Sequence, residues 1–513
     1  MDSSNNIREK INQLASERIL ILDGAMGSLI SSYKQPVQGY NDLLCLTRPQ
    51  LISEIHEAYL KAGADIIETC SFNAASVFLD DESHSKQAYM VSKASAELAR
   101  RAADKFSAPG RPRFVAGSMG PTGKSASMAS DINDPSKRAV SWDGLEAAYY
   151  ENARGLFDGG ADLMIIETVF DTLNAKAAIF AVRRLANERG VDIPLIVSAT
   201  LTEGGRLLSG QTVEAFCVSV QHADPLALGL NCSFGAEKLK PHIAAISKAA
   251  PCLVIAYPNA GMPNRQGIYE ESPETMVIHI KEYLEEGLVN IVGGCCGSTP
   301  AHISVIAAAA KNHTPKSLAS VSRTGLPKKN LLAGLEVMEL SQEVFFKTVA
   351  AHSDAKNRKF LELIREGDYD GAVGFLTEDI DDEGIYVHVY MDESLPDPKA
   401  AMTDFINFAL QYPGIVRRPV MLSASCWELL EAGLKCIQGK ALVNCISLAE
   451  GEAEFLCRAG LARSYGAAVV VSLADEEGPA VSEELRLAVA ARARKLLADL
   501  HFPPEDMILE KSS

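Results

Sequence analysis

The stretch at residues 290–300, Asn-Ile-Val-Gly-Gly-Cys-Cys-Gly-Ser-Thr-Pro, joins a short apolar strand to a glycine-rich bend and then to a helix start. Glycines let a backbone turn tightly and approach a ligand closely. Two adjacent thiols in such a bend are typical of metal ligands at the end of a strand. Buried core cysteines are the alternative, but packing alone seldom requires Gly-Gly-Cys-Cys-Gly. The stretch therefore predicts a metal site that contains Cys295 and Cys296.

The part of the chain before this stretch alternates between apolar strands and amphipathic helices such as residues 51–61, 145–158 and 273–286. Strands that alternate with helices predict a parallel sheet, and eight such units in about 300 residues predict a closed (β/α)8 barrel. A doubly wound open sheet is the alternative, but no convincing nucleotide fingerprint follows the first strand. The eight predicted strands are residues 19–23, 65–69, 114–117, 163–167, 195–199, 226–231, 253–257 and 290–293.

The predicted strand ends bring a third thiol, Cys232, to the same edge of the barrel as Cys295 and Cys296, because functional residues of such barrels lie where strands end. Three thiolates can bind zinc and leave a fourth position open, which is typical of a catalytic site. A thiol entering that position would be held as a thiolate at neutral pH, although free thiols titrate near 8.5. We therefore predict these three cysteines as zinc ligands.

Polar groups at other strand ends predict a binding site for an amino acid. Asp23 and Glu167 each close an apolar strand and could receive an ammonium group. An ion pair or a helix N-cap is the alternative for Asp23 taken singly. Thr69 and the backbone amides around Ser118 could hold a carboxylate, since exposed N–H groups at the start of a helix bind anions. Asn231, which directly precedes Cys232, completes the predicted substrate-binding set.

Composition and charge exclude several classes of protein. The net charge of −17 argues against nucleic acid as the main partner, because such proteins need a basic face. The sequence has neither an apolar run long enough to cross a bilayer nor an apolar signal segment at its start, so we predict a cytoplasmic protein without a membrane partner. Eleven cysteines in a cytosolic chain do not form a disulfide framework.

A second, weaker series of strands and helices follows a stretch rich in Ser, Pro and Lys, which predicts a linker. We expect three parts: a barrel at residues 1–312, a linker at 313–333 and a second α/β unit at 334–513. That unit has 180 residues, fewer than a full barrel usually needs, so it is predicted to be an incomplete barrel-like domain. Its predicted strands are residues 343–346, 384–390, 419–422, 441–446, 467–473 and 507–509.

Six segments of the first half closely resemble the homocysteine-binding module of cobalamin-dependent methionine synthases, a domain type of the homocysteine S-methyltransferase family. The resemblance implies a zinc barrel that binds and activates homocysteine. It places Cys232, Cys295 and Cys296 at the zinc ligands, and Asp23 and Glu167 around the homocysteine amino group. The segments are residues 20–27, 63–69, 167–176, 208–212, 229–232 and 292–297.

The second half resembles the methyltetrahydrofolate-binding, or pterin-binding, barrel of the same synthases at residues 433–440, 465–471 and 502–506. The departures are informative. His388-Val389-Tyr390 stands where the family has Asp-Ile-Asn, and residues 422–425, Leu-Ser-Ala-Ser, stand for Ile-Asp-Ser-Ser. Two aspartates of the pterin pocket are therefore missing, while Asn444 matches. We expect a truncated, divergent pterin-binding-like domain that does not bind methyltetrahydrofolate.

These observations predict a zinc-dependent homocysteine S-methyltransferase in which zinc-bound homocysteine thiolate attacks an activated methyl group and gives methionine. The expected donor is a methylcorrinoid, that is cobalamin on a separate protein, or a small methyl-onium compound. The alternative is a non-catalytic homocysteine- and zinc-binding subunit or regulator whose second half is an interaction surface.

Overall fold

The computed structural model describes residues 7–33, 40–75, 87–317, 329–340, 354–378 and 386–510. Eight parallel strands form one sheet, and a bridge between Leu22 and Ile66 joins its two ends. The predicted (β/α)8 barrel is therefore confirmed. In chain order the strands are β1 (Leu20–Ile21), β2 (Ile66–Glu68), β3 (Phe114–Met119), a separate hairpin of β4 (Ala129–Asp131) and β5 (Asp134–Arg138), then β6 (Leu163–Val169), β7 (Leu195–Ala199), β8 (Ala227–Gly235), β9 (Leu253–Asn259) and β10 (Ile291–Val292).

Helices surround the barrel, and the first of them closes its lower end. Ile11 and Ala15 of that helix are fully buried against the inward-facing strand side chains. Beside it, the carboxylate of Asp65 accepts hydrogen bonds from Arg18 at 2.6 Å and Arg113 at 3.0 Å. The helices are α1 (Ile7–Glu17), α2 (Met26–Ser32), α3 (Leu44–Thr47), α4 (Pro49–Ala62), α5 (Ala88–Phe106), α6 (Trp142–Asp158), α7 (Thr172–Arg189), α8 (Val213–Val220), α9 (Ala236–Ala249), α10 (Pro273–Glu285) and α11 (Pro300–Ala310).

All eight barrel strands overlap their predicted ranges, and the sixth extends furthest beyond its predicted end. The predicted strand 226–231 continues to Gly235 because β8 resumes its pairing with β9 after an irregularity between Asn231 and Gly235. This irregularity contains Cys232, which adopts a left-handed backbone conformation with φ of 53°. The deviation from regular strand geometry therefore falls at a predicted metal ligand.

A second sheet of five parallel strands follows in chain order, β13–β14–β15–β16–β19. Five of the six predicted strands correspond to strands of this sheet. The remaining one, residues 343–346, lies outside the described residues. The remaining elements are strands β11 (Leu331–Ala333), β12 (Val337–Glu339), β13 (Val387–Met391), β14 (Val420–Ala424), β15 (Leu442–Ile446), β16 (Ala468–Val471), β17 (Ala474–Asp475), β18 (Gly478–Pro479) and β19 (Met507–Leu509), and helices α12 (Asp354–Glu366), α13 (Tyr369–Glu378), α14 (Pro398–Ala409), α15 (Pro413–Val416), α16 (Trp427–Leu434), α17 (Glu452–Ser464) and α18 (Glu483–Asp499).

Both ends of the predicted linker, residues 313–333, are packed into the fold. The Nζ atom of Lys316 donates to the carbonyl oxygens of Ala250 at 3.1 Å and Cys252 at 3.3 Å. At the other end, Leu332 is buried against the second sheet, and Ala333 is buried against α8. The hairpin of β11 and β12 therefore contacts both halves of the chain.

Buried polar groups also join the second sheet to the barrel. Lys176 of α7 is fully buried, and its Nζ atom donates to the carbonyl oxygens of Ile437 and Gly439, each at 3.0 Å. Tyr465 lies against the rings of Trp142 and Phe180, with centroid distances of 5.5 and 5.2 Å. The second sheet therefore packs against barrel helices α6 and α7. Among the helices that the structure describes, none combines the length and apolar character needed to span a membrane.

Candidate metal and substrate site

Three sulfur atoms meet at the carboxyl end of the barrel strands. The Sγ atoms of Cys232, Cys295 and Cys296 all lie within 4.8 Å of one another, and those of Cys232 and Cys296 are 3.3 Å apart. This spacing suits three thiolates around one tetrahedral zinc ion, for which zinc–sulfur distances are about 2.3 Å. The structure thus brings together the three cysteines that the sequence predicts as metal ligands.

The turn that carries the adjacent cysteines is fixed by hydrogen bonds to the end of β9. The backbone N–H of Cys295 donates to the carbonyl oxygen of Pro258 at 2.8 Å, and the N–H of Ala260 donates to the carbonyl oxygen of Cys296 at 2.9 Å. The hydroxyl of Ser298 donates to the carbonyl oxygen of Cys295 at 2.7 Å. These hydrogen bonds consequently fix the backbone of both cysteines.

The Asn231 side chain connects β8 to its neighbours and to the sulfur cluster. Its Oδ1 atom accepts from the Thr168 backbone N–H at 3.0 Å and from the Ser198 hydroxyl at 2.8 Å. Its Nδ2 atom donates to Thr168 Oγ1 at 2.7 Å and lies 3.9 Å from Cys295 Sγ. The structure therefore gives Asn231 contacts with the protein itself, and its predicted contact with substrate stays a prediction.

The protonation of the cluster favours a cation. Hydrogen bonds with Cys232 and Cys295 hold the pKa of the Cys296 thiol down at about 3. The hydrogen bonds of Cys295 with Cys232 and Cys296, together with burial, raise the pKa of Cys295 well above its usual range. One thiolate is thus shared among neighbouring thiols, and a bound metal would displace the remaining protons. The donor set fits a divalent, thiophilic ion such as zinc.

Three carboxylates, those of Asp23, Glu68 and Glu167, lie buried or half-buried near the cluster. Asp23 Oδ2 accepts from the backbone N–H of Glu68 at 3.1 Å, while Asp23 Oδ1 and Glu68 Oε1 are buried without a hydrogen-bond partner. Glu167 accepts a hydrogen bond from the hydroxyl of Ser118. The sequence places Glu68 at a strand end but assigns it no role, and its association with the other two carboxylates becomes visible only in three dimensions.

The electrostatics of these carboxylates indicate an incoming positive charge. Burial raises the pKa of Glu167 to about 7, even though the Ser118 hydrogen bond lowers it. Burial also raises the pKa values of Asp23 and Glu68 well above their usual range, and the charge of Glu167 raises both further. Mutual repulsion in a desolvated site is relieved by a cation. Asp65, at the opposite end of the barrel, already has two arginines as partners.

Thr69 and Ser71 form a hydroxyl network that fixes the end of β3. Thr69 Oγ1 accepts from the Ser118 backbone N–H at 2.8 Å and lies 2.7 Å from Ser71 Oγ. Ser71 Oγ donates to the Ser118 carbonyl oxygen at 2.7 Å. The network orients Ser118, whose hydroxyl then holds Glu167. The predicted contacts of Thr69 and Ser118 with a substrate carboxylate stay a prediction.

Two tyrosines near the site were not predicted from the sequence. Tyr257 is fully buried, and its hydroxyl has no hydrogen-bond partner. Its position at the end of the predicted strand 253–257 was the available signal. Tyr269 lies in the loop between β9 and α10, and its side chain packs against Gly297 in the cysteine turn. A single tyrosine in a loop gives no comparable signal in the sequence.

The barrel part of the chain is similar to known proteins. Residues 20–310, more than half of the chain, match the model of the family described as homocysteine S-methyltransferase. Similar solved structures include the homocysteine methyltransferase MmuM from Escherichia coli in its metallated form, with 26% identity, a TM-score of 0.45, and coverage of 58% of this chain and 98% of MmuM. Its oxidized form matches with 24% identity, a TM-score of 0.46 and the same coverage.

A more distant solved structure is a putative phosphonomutase from Burkholderia cenocepacia J2315, with 15% identity, a TM-score of 0.32, and coverage of 57% of this chain and 92% of the other. The family match rests on the part of the chain that forms the barrel and its site, since residues 20–310 run from β1 to the end of α11. The chain therefore belongs to the homocysteine S-methyltransferase family of enzymes.

Proposed function

We propose that this enzyme is zinc-dependent and methylates homocysteine to methionine, with Cys232, Cys295 and Cys296 as the zinc ligands. The observation that carries the proposal is the meeting of two different groups at one end of the barrel. A cluster of three thiols lies beside buried carboxylate oxygens that have no hydrogen-bond partner. An amino acid with a thiol side chain could bring its thiol to the metal held by the cysteines and its ammonium group to the carboxylates.

Zinc bound by the three cysteines would supply a Lewis acid that keeps a fourth, incoming thiol deprotonated at neutral pH. The remaining functions belong to side chains of this chain. Asp23 and Glu167, with Glu68 beside them, would hold the substrate ammonium group and so fix the direction in which its thiol approaches the metal. Ser118 keeps Glu167 in place. Thr69, Ser118 and Asn231 complete the substrate-binding set that we propose.

The reaction requires one displacement at carbon. The bond between the homocysteine sulfur and the methyl group forms as the bond between the methyl group and its donor breaks, and the donor leaves with that electron pair. No protein base and no covalent enzyme intermediate are required, because a metal held by the three cysteines would lower the pKa of the substrate thiol enough for its proton to pass to solvent.

We propose a methylcorrinoid on a separate protein or a small methyl-onium compound as the donor, and residues 334–513 as a truncated, divergent pterin-binding-like domain. The polar side chains on the sheet of this domain support its divergence from a pterin-binding domain, because they hydrogen-bond to one another. His388 Nε2 lies 2.6 Å from Ser423 Oγ, and Asn444 Nδ2 donates to the same oxygen at 2.9 Å. The domain limits that we propose are 1–312, 313–333 and 334–513.

The proposal is tested by incubating the zinc-loaded chain with homocysteine and, separately, with a methylsulfonium compound, a quaternary methylammonium compound and methylcobalamin. We expect methionine from at least one donor. Cysteine, one methylene shorter, is the matched acceptor control and should react far more slowly. If no donor gives methionine although zinc is bound, the proposed reaction is wrong.

A further inference from the structure

Two loops and one helix on the substrate side of the barrel contact the C-terminal half of the chain, by which we mean the described residues from 329 onward. They are the loops after β3 and β7 and helix α7, which follows β6. Strands β3 and β6 carry Ser118 and Glu167. In the loop after β3, the Arg138 guanidinium donates to the carbonyl oxygen of Asn407 on α14. Elements that adjoin the proposed substrate site are therefore also elements that meet the C-terminal half.

The start of α7 holds the loop after β3. Asn174 Oδ1 accepts from the backbone N–H of Ala126 at 3.0 Å, and Asn174 Nδ2 donates to the carbonyl oxygen of Lys124 at 2.6 Å. Pro121 of the same loop lines one small cavity together with Asn174 and Glu167. A shift of α7 would therefore move the protein wall beside Glu167.

Helix α7 is in turn held by the C-terminal half through Lys176. This side chain is fully buried, and its Nζ atom donates to the carbonyl oxygens of Ile437 and Gly439, each at 3.0 Å. Burial lowers the pKa of Lys176 to about 7, because a buried ammonium group loses its hydration. A side chain that is costly to desolvate is thus placed where its hydrogen bonds cross between the two halves.

The turn between β11 and β12 holds the loop after β7. Gln211 Nε2 donates to the carbonyl oxygen of Gly334 at 2.7 Å, and the backbone N–H of Thr212 donates to the carbonyl oxygen of Leu335 at 3.0 Å. The other side-chain atom of this glutamine, Oε1, accepts from the hydroxyl of Thr172 at the start of α7. Gln211 therefore links the turn, the loop after β7 and helix α7.

A close contact beyond α8 extends the same interface. His222 Nδ1 lies 3.0 Å from the carbonyl oxygen of Ser219, which can only accept, so Nδ1 carries the ring proton. The ring cannot turn away without losing that hydrogen bond. A methyl group built on Gly466 of the C-terminal half would lie 2.5 Å from His222 Nδ1, far inside van der Waals contact. Alanine at position 466 should therefore push the C-terminal half away from the barrel.

We propose that the C-terminal half is a positioning module for the substrate side of the barrel, with Lys176 as a positioning residue between the two. By holding α7 and the loops after β3 and β7, it fixes the surroundings of Ser118 and Glu167. This inference rests on the proposed function for the identity of the substrate. It gives a role to a half of the chain that supplies none of the proposed metal ligands or substrate contacts.

The first test compares Lys176→Met with Lys316→Met in the full-length, zinc-loaded chain. Lys316 is the matched control because it is also a buried lysine whose Nζ atom donates to two carbonyl oxygens, but both of these belong to the barrel. In Lys176→Met we expect the amide of Ala126 to exchange its hydrogen roughly tenfold faster, since α7 is held less firmly. A displacement of about 1 Å in a site can cost 100-fold in activity, so methionine should bind roughly tenfold more weakly in a calorimetric titration. The KM for homocysteine should rise while kcat changes little.

The second test reaches the same interface from the other half and compares Gly466→Ala with Gly367→Ala. Both glycines have a left-handed backbone, with φ of 71° and 74°, so alanine strains the two positions alike. A methyl group on Gly367 would meet no atom within 4 Å, whereas one on Gly466 would press on His222. We expect faster exchange at Ala126 and weaker methionine binding in Gly466→Ala alone.

Exchange rates and methionine affinities that match the controls in both interface variants would overturn the positioning role. Faster exchange with unchanged methionine affinity would also overturn it, because the halves would then pack together without shaping the site. A zinc-loaded wild-type chain that binds neither methionine nor homocysteine would instead overturn the proposed function. The exchange rates of the four variants would still decide whether the C-terminal half holds α7.

Discussion

The barrel and the second sheet both end their parallel strands at a polar edge, but the polar groups at the two edges are used differently. At the barrel edge, Asp23 Oδ1 and Glu68 Oε1 are buried without partners, and three sulfur atoms crowd within 4.8 Å. On the second sheet, His388 and Asn444 both hydrogen-bond the hydroxyl of Ser423. At the barrel edge three thiols and three carboxylates converge, whereas on the second sheet a histidine, a serine and an asparagine hydrogen-bond one another.

This difference is informative because an unsatisfied buried polar atom costs about 1 to 3 kcal/mol and persists only where something compensates for it. A ligand that brings a positive charge to the barrel edge provides that compensation. On the second sheet, the hydroxyl of Ser423 lies within hydrogen-bond distance of both His388 and Asn444. The converging thiols and the carboxylate oxygens without partners therefore make the barrel edge the candidate binding site of the two.

The largest expected effect comes from removing one thiol at each edge. Cys296→Ala deletes one of three proposed zinc ligands, so we expect metal affinity to fall by roughly three orders of magnitude and methionine formation to be lost. Cys445→Ala removes a half-buried thiol from the second sheet and should leave both unchanged. Zinc content after gel filtration and chelator competition measure the effect. Equal zinc content in both variants would contradict the three-thiolate site.

A smaller effect is expected when one carboxylate loses its charge. Glu167→Gln keeps the shape of the side chain but removes an anion that we expect to hold the substrate ammonium group. A hydrogen bond to a charged group is worth about 1.5 to 3 kcal/mol, so methionine, the proposed product, should bind roughly 10- to 100-fold more weakly. Calorimetric titration measures this. Asn444→Ala, at the other edge, is the control, and a comparable loss there would break the distinction between the two edges.

The pH dependence of binding should show a third effect, of about tenfold. Burial raises the pKa of Glu167 to about 7, so the group is mostly protonated at pH 6 and mostly ionised at pH 8. The ionised form binds an ammonium group, and methionine affinity should therefore increase about tenfold from pH 6 to pH 8. Methionine is the suitable probe because its thioether does not titrate.

Two variants determine whether Glu167 causes this pH dependence. Ser118 lowers the pKa of Glu167 by its hydrogen bond, so Ser118→Ala should move the midpoint to higher pH. Glu167→Gln should remove the tenfold increase. A midpoint that stays in place in both variants would assign the titration to another group, of which Asp23 and Glu68 are the nearest candidates because the pKa values of both are also raised.

The barrel and the meeting of its three thiols could be predicted from sequence for a physical reason. Strands buried on both faces are continuous apolar runs, and a parallel barrel places the residue after each run at one common edge. Cys232 and Cys295 are 63 positions apart in the sequence, yet the strand order alone brings them together. The adjacent glycines then indicate a turn in which two thiols can face one ion.

Other features depend on tertiary contacts that no local pattern records. Leu331–Ala333 was assigned to a linker by its polar surroundings, but it forms a strand because Leu332 is buried on the second sheet and Ala333 on the barrel. Asn231 stands at a strand end, where a substrate-binding residue is expected, and no sequence pattern shows that its amide also bridges neighbouring strands. The environment of a polar side chain, rather than its position at a strand end, decides whether it is free to meet a ligand.

For the last measurement, methyltetrahydrofolate binding, we expect no detectable effect. Methyltetrahydrofolate titrated against the full chain should show no saturable binding, because the proposed resemblance aligns His388 and Ser423 with aspartates of a pterin pocket, and the two side chains hydrogen-bond each other. Equilibrium dialysis with labelled folate measures this, with homocysteine binding to the same preparation as proof that the chain is folded. Saturable folate binding that Asn444→Ala abolishes would show that hydrogen-bonded polar groups on a strand edge can exchange their partners for a ligand. The second sheet would then bind a methyl donor. Both edges would be binding sites, and they would differ only in whether their polar groups hydrogen-bond one another before the ligand arrives.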